Sequence, residues 1–165
     1  MRLWVDADSF PRSAKEIVYK AGRRTGSRVI LVANRDLGFP PLVETDPMDN
    51  HPEPSLHPPI VCQIVVPKGD DVADEAIFDR VNSEDLVFTR DIVFAGRLVE
   101  KGIVTLNDRG DVFNAATIRE RLSIRDFMAG MREAGLAEAG WNQYGPREAR
   151  AFAAALDKEL SRKKY

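Results

Sequence analysis

Short apolar runs alternate with longer segments of helical periodicity along this chain. The clearest run, Val29–Val32, contains no polar residue and is typical of a strand buried on both faces of a parallel sheet. Parallel strands need crossover connections, and these usually contain a helix. The order strand–helix–strand–strand–helix–strand–helix–strand therefore predicts an α/β fold: a mostly parallel sheet of about five strands with helices on both faces. The predicted strands are Leu3–Asp8, Arg28–Ala33, Ile60–Val66, Leu86–Thr89 and Ile103–Leu106.

The length of 165 residues fits one domain spanning 1–165. Ser9 and Pro11 are expected to begin the first helix, with Ser9 as its N-cap. Seven of the ten prolines fall in 40–59, which predicts a surface loop. Beyond the sheet, a helical extension is expected over 115–165. It would contain a helix over Ala115–Ala134, or two with a break, and a last helix from Pro146 to about Lys163.

The cysteine and histidine content, the length of the apolar stretches and the net charge exclude several classes of protein. The single cysteine, Cys62, excludes an intrachain disulfide and lies in an apolar run, so a buried structural thiol is expected. His51 and His57 lie in the proline-rich loop without a cysteine nearby and are interpreted as loop histidines rather than zinc ligands. No apolar stretch is long enough to span a bilayer, and a cytoplasmic protein is expected. The net charge of −2 gives no global basic signal for nucleic acid.

Acidic residues recur where predicted strands end. Asp6 and Asp8 are two apart and can face one side of the first strand. Asp71 and Asp74 are three apart and share a helix face after the third strand, and Asp91 follows the fourth. The carboxyl ends of parallel strands lie along one edge of a sheet, where ligands bind, so one carboxylate cluster is predicted there. The alternative is structural: acids after a strand also cap helices and complement helix dipoles.

A carboxylate cluster without histidine or cysteine selects Mg²⁺ or Mn²⁺ rather than zinc. Such ions polarise a phosphodiester and neutralise the charge that develops during hydrolysis. A phosphate substrate also needs cations that bind it. For each candidate cation, a surface or helix-pairing role is an alternative interpretation. Thr89 could donate a hydrogen bond to a phosphate, but the preferred interpretation is that it only ends its strand. The candidate cations are Lys68, Arg90, Arg35, Arg119, Arg121 and Arg125.

Several motifs together resemble the uncharacterised bacterial YaiI/YqxD family, over most of the chain. They are Trp4–Asp8 (WVDAD), Val32–Asn34 (VAN), Asp71–Asp74 (DVAD), Thr89–Ile92 (TRDI), Ala116–Leu122 (ATIRERL) and Arg125–Met128 (RDFM).

That family in turn resembles the PIN/NYN-like nuclease superfamily, which implies a three-layer PIN-like domain. It also implies Mg²⁺ or Mn²⁺ held by Asp6, by Asp71 or Asp74, and by Asp91, with Asp8 as an added neighbour. Asp6 and Asp91 are predicted to be the catalytic residues. From the candidate cations, Lys68, Arg90 and Arg119 are predicted to contact nucleic acid.

The chain departs from the family at two places. Phe10 stands where the family commonly has cysteine, so any role of that thiol is absent. The proline-rich loop replaces a more basic segment, which puts substrate contact through that loop in doubt.

Three hypotheses about function follow. The first is a metal-dependent nuclease, a hydrolase acting on RNA or single-stranded nucleic acid. The second is a non-catalytic nucleic-acid-binding or regulatory domain that keeps the pocket. The third is a phosphoesterase acting on small molecules. The sequence leaves the oligomeric state open.

Overall fold

The computed structural model describes residues 1–42, 60–136 and 144–163. Most of the predicted proline-rich loop, with His51 and His57, lies outside these residues. Within the described parts of the chain, no helix is both long and apolar enough to cross a membrane. The elements are β1 (Arg2–Asp6), α1 (Arg12–Thr25), β2 (Arg28–Ala33), β3 (Val61–Val65), α2 (Val72–Phe78), β4 (Leu86–Phe88), α3 (Ile92–Glu100), β5 (Val104–Leu106), α4 (Ala115–Glu133) and α5 (Pro146–Arg162).

The five strands form one parallel sheet in the order β3-β2-β1-β4-β5, which confirms the predicted α/β class. β1 lies at the centre, where Trp4 pairs with Ile30 on one side and with Val87 on the other. The chain moves outward from β1 to β3, then returns to place β4 beside β1. This reversal creates a crevice beyond the carboxyl ends of β1 and β4.

Helices cover both faces of the sheet and bury alternate side chains of each strand. Leu3 and Val5 of β1 point to the face covered by α1 and α5, and Trp4 points to the face covered by α2 and α3. The result is consistent with a three-layer PIN-like domain. The Cys62 thiol is buried beneath α2 and α3, which confirms the predicted structural thiol.

The C-terminal helices attach to the sheet in different ways. On α5, Phe152 is fully buried and packs edge-on against the rings of Phe10 and Phe88. The helix α4 packs on α3, and Ile118 of α4 and Ala95 of α3 belong to the same buried apolar cluster. It is one continuous helix, so the alternative of two helices with a break is wrong.

The start of α1 differs from the prediction. Helix α1 begins at Arg12, Pro11 occupies the N-cap position, and the described residues provide no side-chain cap. The predicted Ser9 cap is therefore wrong. The Ser9 hydroxyl instead donates a hydrogen bond to the Asp6 carboxylate at 2.6 Å. The hydroxyl that was expected to cap a helix therefore binds the acid at the crevice.

Candidate active site at the carboxyl edge of the sheet

A cleft of about 350 Å³ lies beyond the carboxyl ends of β1, β2 and β3, beside the first turns of α2 and α3. The structure brings all five predicted acids to this cleft, together with Asp70, which sequence reasoning did not single out. Its lining residues are Asp6, Asp8, Asn34, Val66, Pro67, Gly69, Asp70, Asp71, Ala73, Asp74 and Asp91.

Asp6 ends the central strand and is the most buried of these acids, with 7% of its surface exposed. Its Oδ2 atom accepts hydrogen bonds from the hydroxyls of Ser9, at 2.6 Å, and Thr89, at 2.9 Å. Burial raises the pKa of Asp6, the two hydroxyls lower it, and the nearby charges of Asp8 and Asp91 raise it again. Because α1 has no side-chain cap within the described chain, the alternative that Asp6 or Asp8 caps this helix is wrong.

Thr89 connects Asp6 to Asp91. Its side chain is fully buried, its hydroxyl donates to Asp6 Oδ2, and the backbone N–H of Asp91 donates to its Oγ1 at 3.0 Å. Sequence reasoning preferred a strand-ending role and missed this bridge. The available signal was a hydroxyl residue directly after an apolar strand and two positions before an acid.

Asp91 also has the structural role that the alternative interpretation assigned to such acids. It is the N-cap of α3, and its Oδ1 accepts the N–H groups of Val93, at 2.8 Å, and Phe94, at 2.9 Å. Both hydrogen bonds use the same carboxylate oxygen. Asp91 therefore combines a helix cap with a place in the cleft.

The acids of α2 form the opposite wall. Asp71 precedes the helix in a left-handed conformation, with φ of 60°, and Asp74 lies in its first turn. Burial raises the pKa of Asp74 to about 7, with further contributions from the charges of Asp6, Asp91 and Asp71. Arg97 lowers this pKa, but its guanidinium is hydrogen-bonded to both carboxylate oxygens of Glu75. Nearby cations therefore compensate only part of the negative charge of this wall.

Asp8 is held differently from the other acids. Its Oδ2 accepts the backbone N–H of Asn34 at 2.7 Å, which ties the end of β1 to the end of β2. Arg35 lies beside it, with 3.9 Å between Nε and Asp8 Oδ1. Asp8 therefore has a cation at its side.

The predicted nucleic-acid contacts are distributed unevenly. Lys68 is exposed and lies between Pro67 and Gly69, which line the cleft. Arg90 pairs with the buried Asp108 at 2.5 Å, and Arg119 is exposed on α4. Neither arginine is among the described residues that line the cleft. Two further candidates have acidic partners, Arg121 with Asp111 and Arg125 with Asp126.

The donor chemistry of the cleft fits a hard divalent cation, since its charged groups are carboxylates that raise one another's pKa. Among the described residues, however, no three histidine, cysteine, aspartate or glutamate side chains are close enough together to hold a metal ion. A fully protein-coordinated ion therefore does not fit this arrangement. An Mg²⁺ ion that keeps several waters and uses one or two carboxylates does fit it.

Comparisons with known proteins agree over nearly the whole chain. A family model described as "Uncharacterized BCR, YaiI/YqxD family" matches residues 4–162. A UPF0178 protein of Trichlorobacter lovleyi is 39% identical over 98% of this chain and 95% of its own length. UPF0178 proteins of Xanthomonas oryzae and Yersinia pestis are each 41% identical over 97% of this chain, and over 89% and 95% of their own lengths. No solved structure matches the chain significantly.

Proposed function

This chain belongs to the YaiI/YqxD family, and from its carboxylate cleft we propose that it is a divalent-metal-dependent nuclease that hydrolyses RNA or single-stranded nucleic acid. The observation that carries the proposal is the charge of the cleft. Burial, together with the charges of Asp6, Asp91 and Asp71, raises the pKa of Asp74 to about 7. Uncompensated acids at a sheet switch point are costly to the fold, and their mutual repulsion is relieved by a cation.

Each side chain has a role in the proposed reaction that follows from its position in the cleft. Asp6 and Asp91 would hold Mg²⁺ or Mn²⁺, and Thr89 and Ser9 fix the orientation of the Asp6 carboxylate. When bound, the ion would supply charge neutralisation at the phosphodiester. Asp74 lies on α2 at the same cleft, and its carboxylate would accept a proton from the attacking water.

The polymer substrate is supported by the resemblance to PIN/NYN-like nucleases. A second candidate, a non-catalytic nucleic-acid-binding domain, is favoured by one observation. In the described residues, no three carboxylates are close enough together to hold a metal ion, and a binding role requires no such group.

The test combines calorimetry with a cleavage assay. Mn²⁺ and Mg²⁺ are titrated into the wild type, Asp6→Asn and Asp91→Asn, and a labelled single-stranded RNA is then incubated with each protein. Asp126→Asn on the exposed surface of α4 is the matched control. The proposal expects saturable metal binding and RNA cleavage that are lost in Asp6→Asn and kept in Asp126→Asn. RNA binding without cleavage in either metal would favour the second candidate. Cleavage that persists in Asp6→Asn would refute the assignment of the site.

A further inference from the structure

The walls of the cleft differ in charge. On the α2 side stand Asp70, Asp71 and Asp74, and the nearby Arg97 is committed to Glu75. On the other side, at the ends of β1 and β2, the cleft is lined by Asp8 and Asn34. Two cations lie beside Asp8, although neither is among the described residues that line the cleft. These cations are Lys15 of α1 and Arg35 of the segment after β2.

Lys15 is anchored directly under the acidic turn. Its Nζ donates a hydrogen bond at 3.0 Å to the backbone carbonyl of Ala7, the residue between Asp6 and Asp8. Burial lowers the pKa of Lys15 and the neighbouring Arg35 lowers it further, while Asp8 and Asp6 raise it. The two cations are therefore close enough to repel each other, and both lie beside Asp8.

Arg35 is held loosely at that point. About two thirds of its side chain is exposed, at 64%, and its Nε lies 3.9 Å from Asp8 Oδ1, which is too long for a hydrogen bond. A guanidinium in this position has donors to offer to a phosphate, and the fork geometry of arginine suits phosphate oxygens.

We propose that Lys15 and Arg35 form a phosphate-binding rim, so that a single-stranded nucleic acid crosses the cleft along its α1–β2 side and away from α2. This inference rests on the proposed function and deepens it by assigning the path of the strand. A polyanion that approached over α2 would meet three acids that line the cleft, whereas on the α1–β2 side Lys15 and Arg35 lie beside the lining residue Asp8. The hydrogen bond to the Ala7 carbonyl gives Lys15 a specific place beside the acidic turn.

The experiment measures binding apart from cleavage. A fluorescent single-stranded RNA is titrated with the wild type, Lys15→Met and Arg35→Met in Ca²⁺, and anisotropy is recorded at several salt concentrations. Lys20→Met is the matched control because Lys20 is an exposed lysine on the same helix. Lys15→Arg and Arg35→Lys keep the charge. Thermal unfolding checks that each variant is folded.

Each rim variant is expected to weaken RNA binding about threefold and to reduce the slope of log affinity against log salt by about 0.7, the value for one phosphate contact on a single strand. The control and Lys15→Arg should stay near the wild type. Arg35→Lys should fall between the wild type and Arg35→Met, because it keeps the charge but not the fork geometry. Equal losses in Lys15→Met, Arg35→Met and Lys20→Met would overturn the rim, and so would absence of RNA binding by the wild type. The proposed function is judged separately, by Mn²⁺-dependent cleavage that Asp6→Asn removes.

Discussion

The Thr89 hydroxyl donates to Asp6 Oδ2 at 2.9 Å, and its own oxygen accepts the backbone N–H of Asp91 at 3.0 Å. One buried side chain therefore sets the distance between the end of β1 and the start of α3. Because Thr89 also occupies the first position after β4, the sheet itself determines where this bridge lies. The two acids that we assign to the ion are positioned by the core rather than by a loop.

Replacement of Thr89 by valine keeps the shape of the side chain and removes the hydroxyl. The variant leaves Asp6 with one donor fewer and leaves the Asp91 N–H without its acceptor, so we expect a loss of about 1–3 kcal/mol in the free energy of unfolding. Urea denaturation measures it. Thr89→Ser keeps the hydroxyl and should lose about 1 kcal/mol or less. Equal losses in both variants would show that packing, not the bridge, determines the effect.

Asp74 should make the stability of the protein depend on pH. Its pKa is raised from the ordinary value of 3.8 to about 7 in the fold, so the folded state binds this proton more tightly than the unfolded chain. The resulting stabilisation is complete below about pH 3.8 and is lost as the pH rises through about 7. Asp74→Asn has no carboxylate to ionise, and we expect it to exceed the wild type by about 1–2 kcal/mol at pH 8.

Denaturant midpoints at pH 5 and pH 8 test this linkage. The advantage of Asp74→Asn should shrink toward pH 5, whereas Asp126→Asn should show no such trend because Asp126 is exposed on α4. Under the proposed function, millimolar Mg²⁺ should also reduce the advantage at pH 8, since the ion offsets the repulsion among the acids. An advantage that is the same at both pH values would contradict the assigned cause.

The fold could be predicted because its sequence signals are local and agree with one another. The apolar run of β2, for instance, shows by itself a strand buried on both faces. The convergence of the acids followed from topology alone, since Asp6 ends one parallel strand and Asp91 follows another, and these two strands prove to be neighbours. The roles within the cleft could not be read in this way. Whether a hydroxyl caps a helix, as expected of Ser9, or binds a carboxylate depends on side-chain directions that spacing does not determine.

The partners of the cations could likewise not be predicted from the sequence. Arg90 lies two positions after β4 and directly before the cleft residue Asp91, but its partner Asp108 belongs to a different segment and is buried. Lys15 had the spacing of a solvated helix position, and only the packing of α1 brings its ammonium group to Ala7. Ion pairs between distant segments are set by tertiary structure, so composition and periodicity do not reveal them.

Asp85 is expected to be essential for stability although it lies outside the cleft. It is 1% exposed, and its carboxylate accepts hydrogen bonds from the backbone and guanidinium of Arg2, from the Trp4 indole and from the Asn82 N–H. Asp85→Ala removes the buried acceptor that these donors share and should lose about 3–5 kcal/mol of unfolding free energy. Asp79→Asn, at an exposed position, should stay within about 0.5 kcal/mol of the wild type in the same urea titration. A small loss in Asp85→Ala would mean that water replaces the carboxylate.

Phe152 should show that α5 is part of the core. Its ring is fully buried and contacts Phe10 and Phe88 at centroid distances of 5.6 and 5.7 Å. Phe152→Ala leaves a cavity between α5 and the sheet, and we expect it to lower the free energy of unfolding by about 3–5 kcal/mol. Phe127→Ala is the matched control because Phe127 on α4 is 66% exposed, and its effect should be within about 0.5 kcal/mol. Urea denaturation of both variants measures the two losses.

Similar small losses would mean that the sheet folds without α5. A large loss confined to Phe152→Ala would show that the sheet and α5 unfold together. Since Phe88 is followed directly by Thr89, such a loss would also tie the geometry of the cleft to the docking of this last helix.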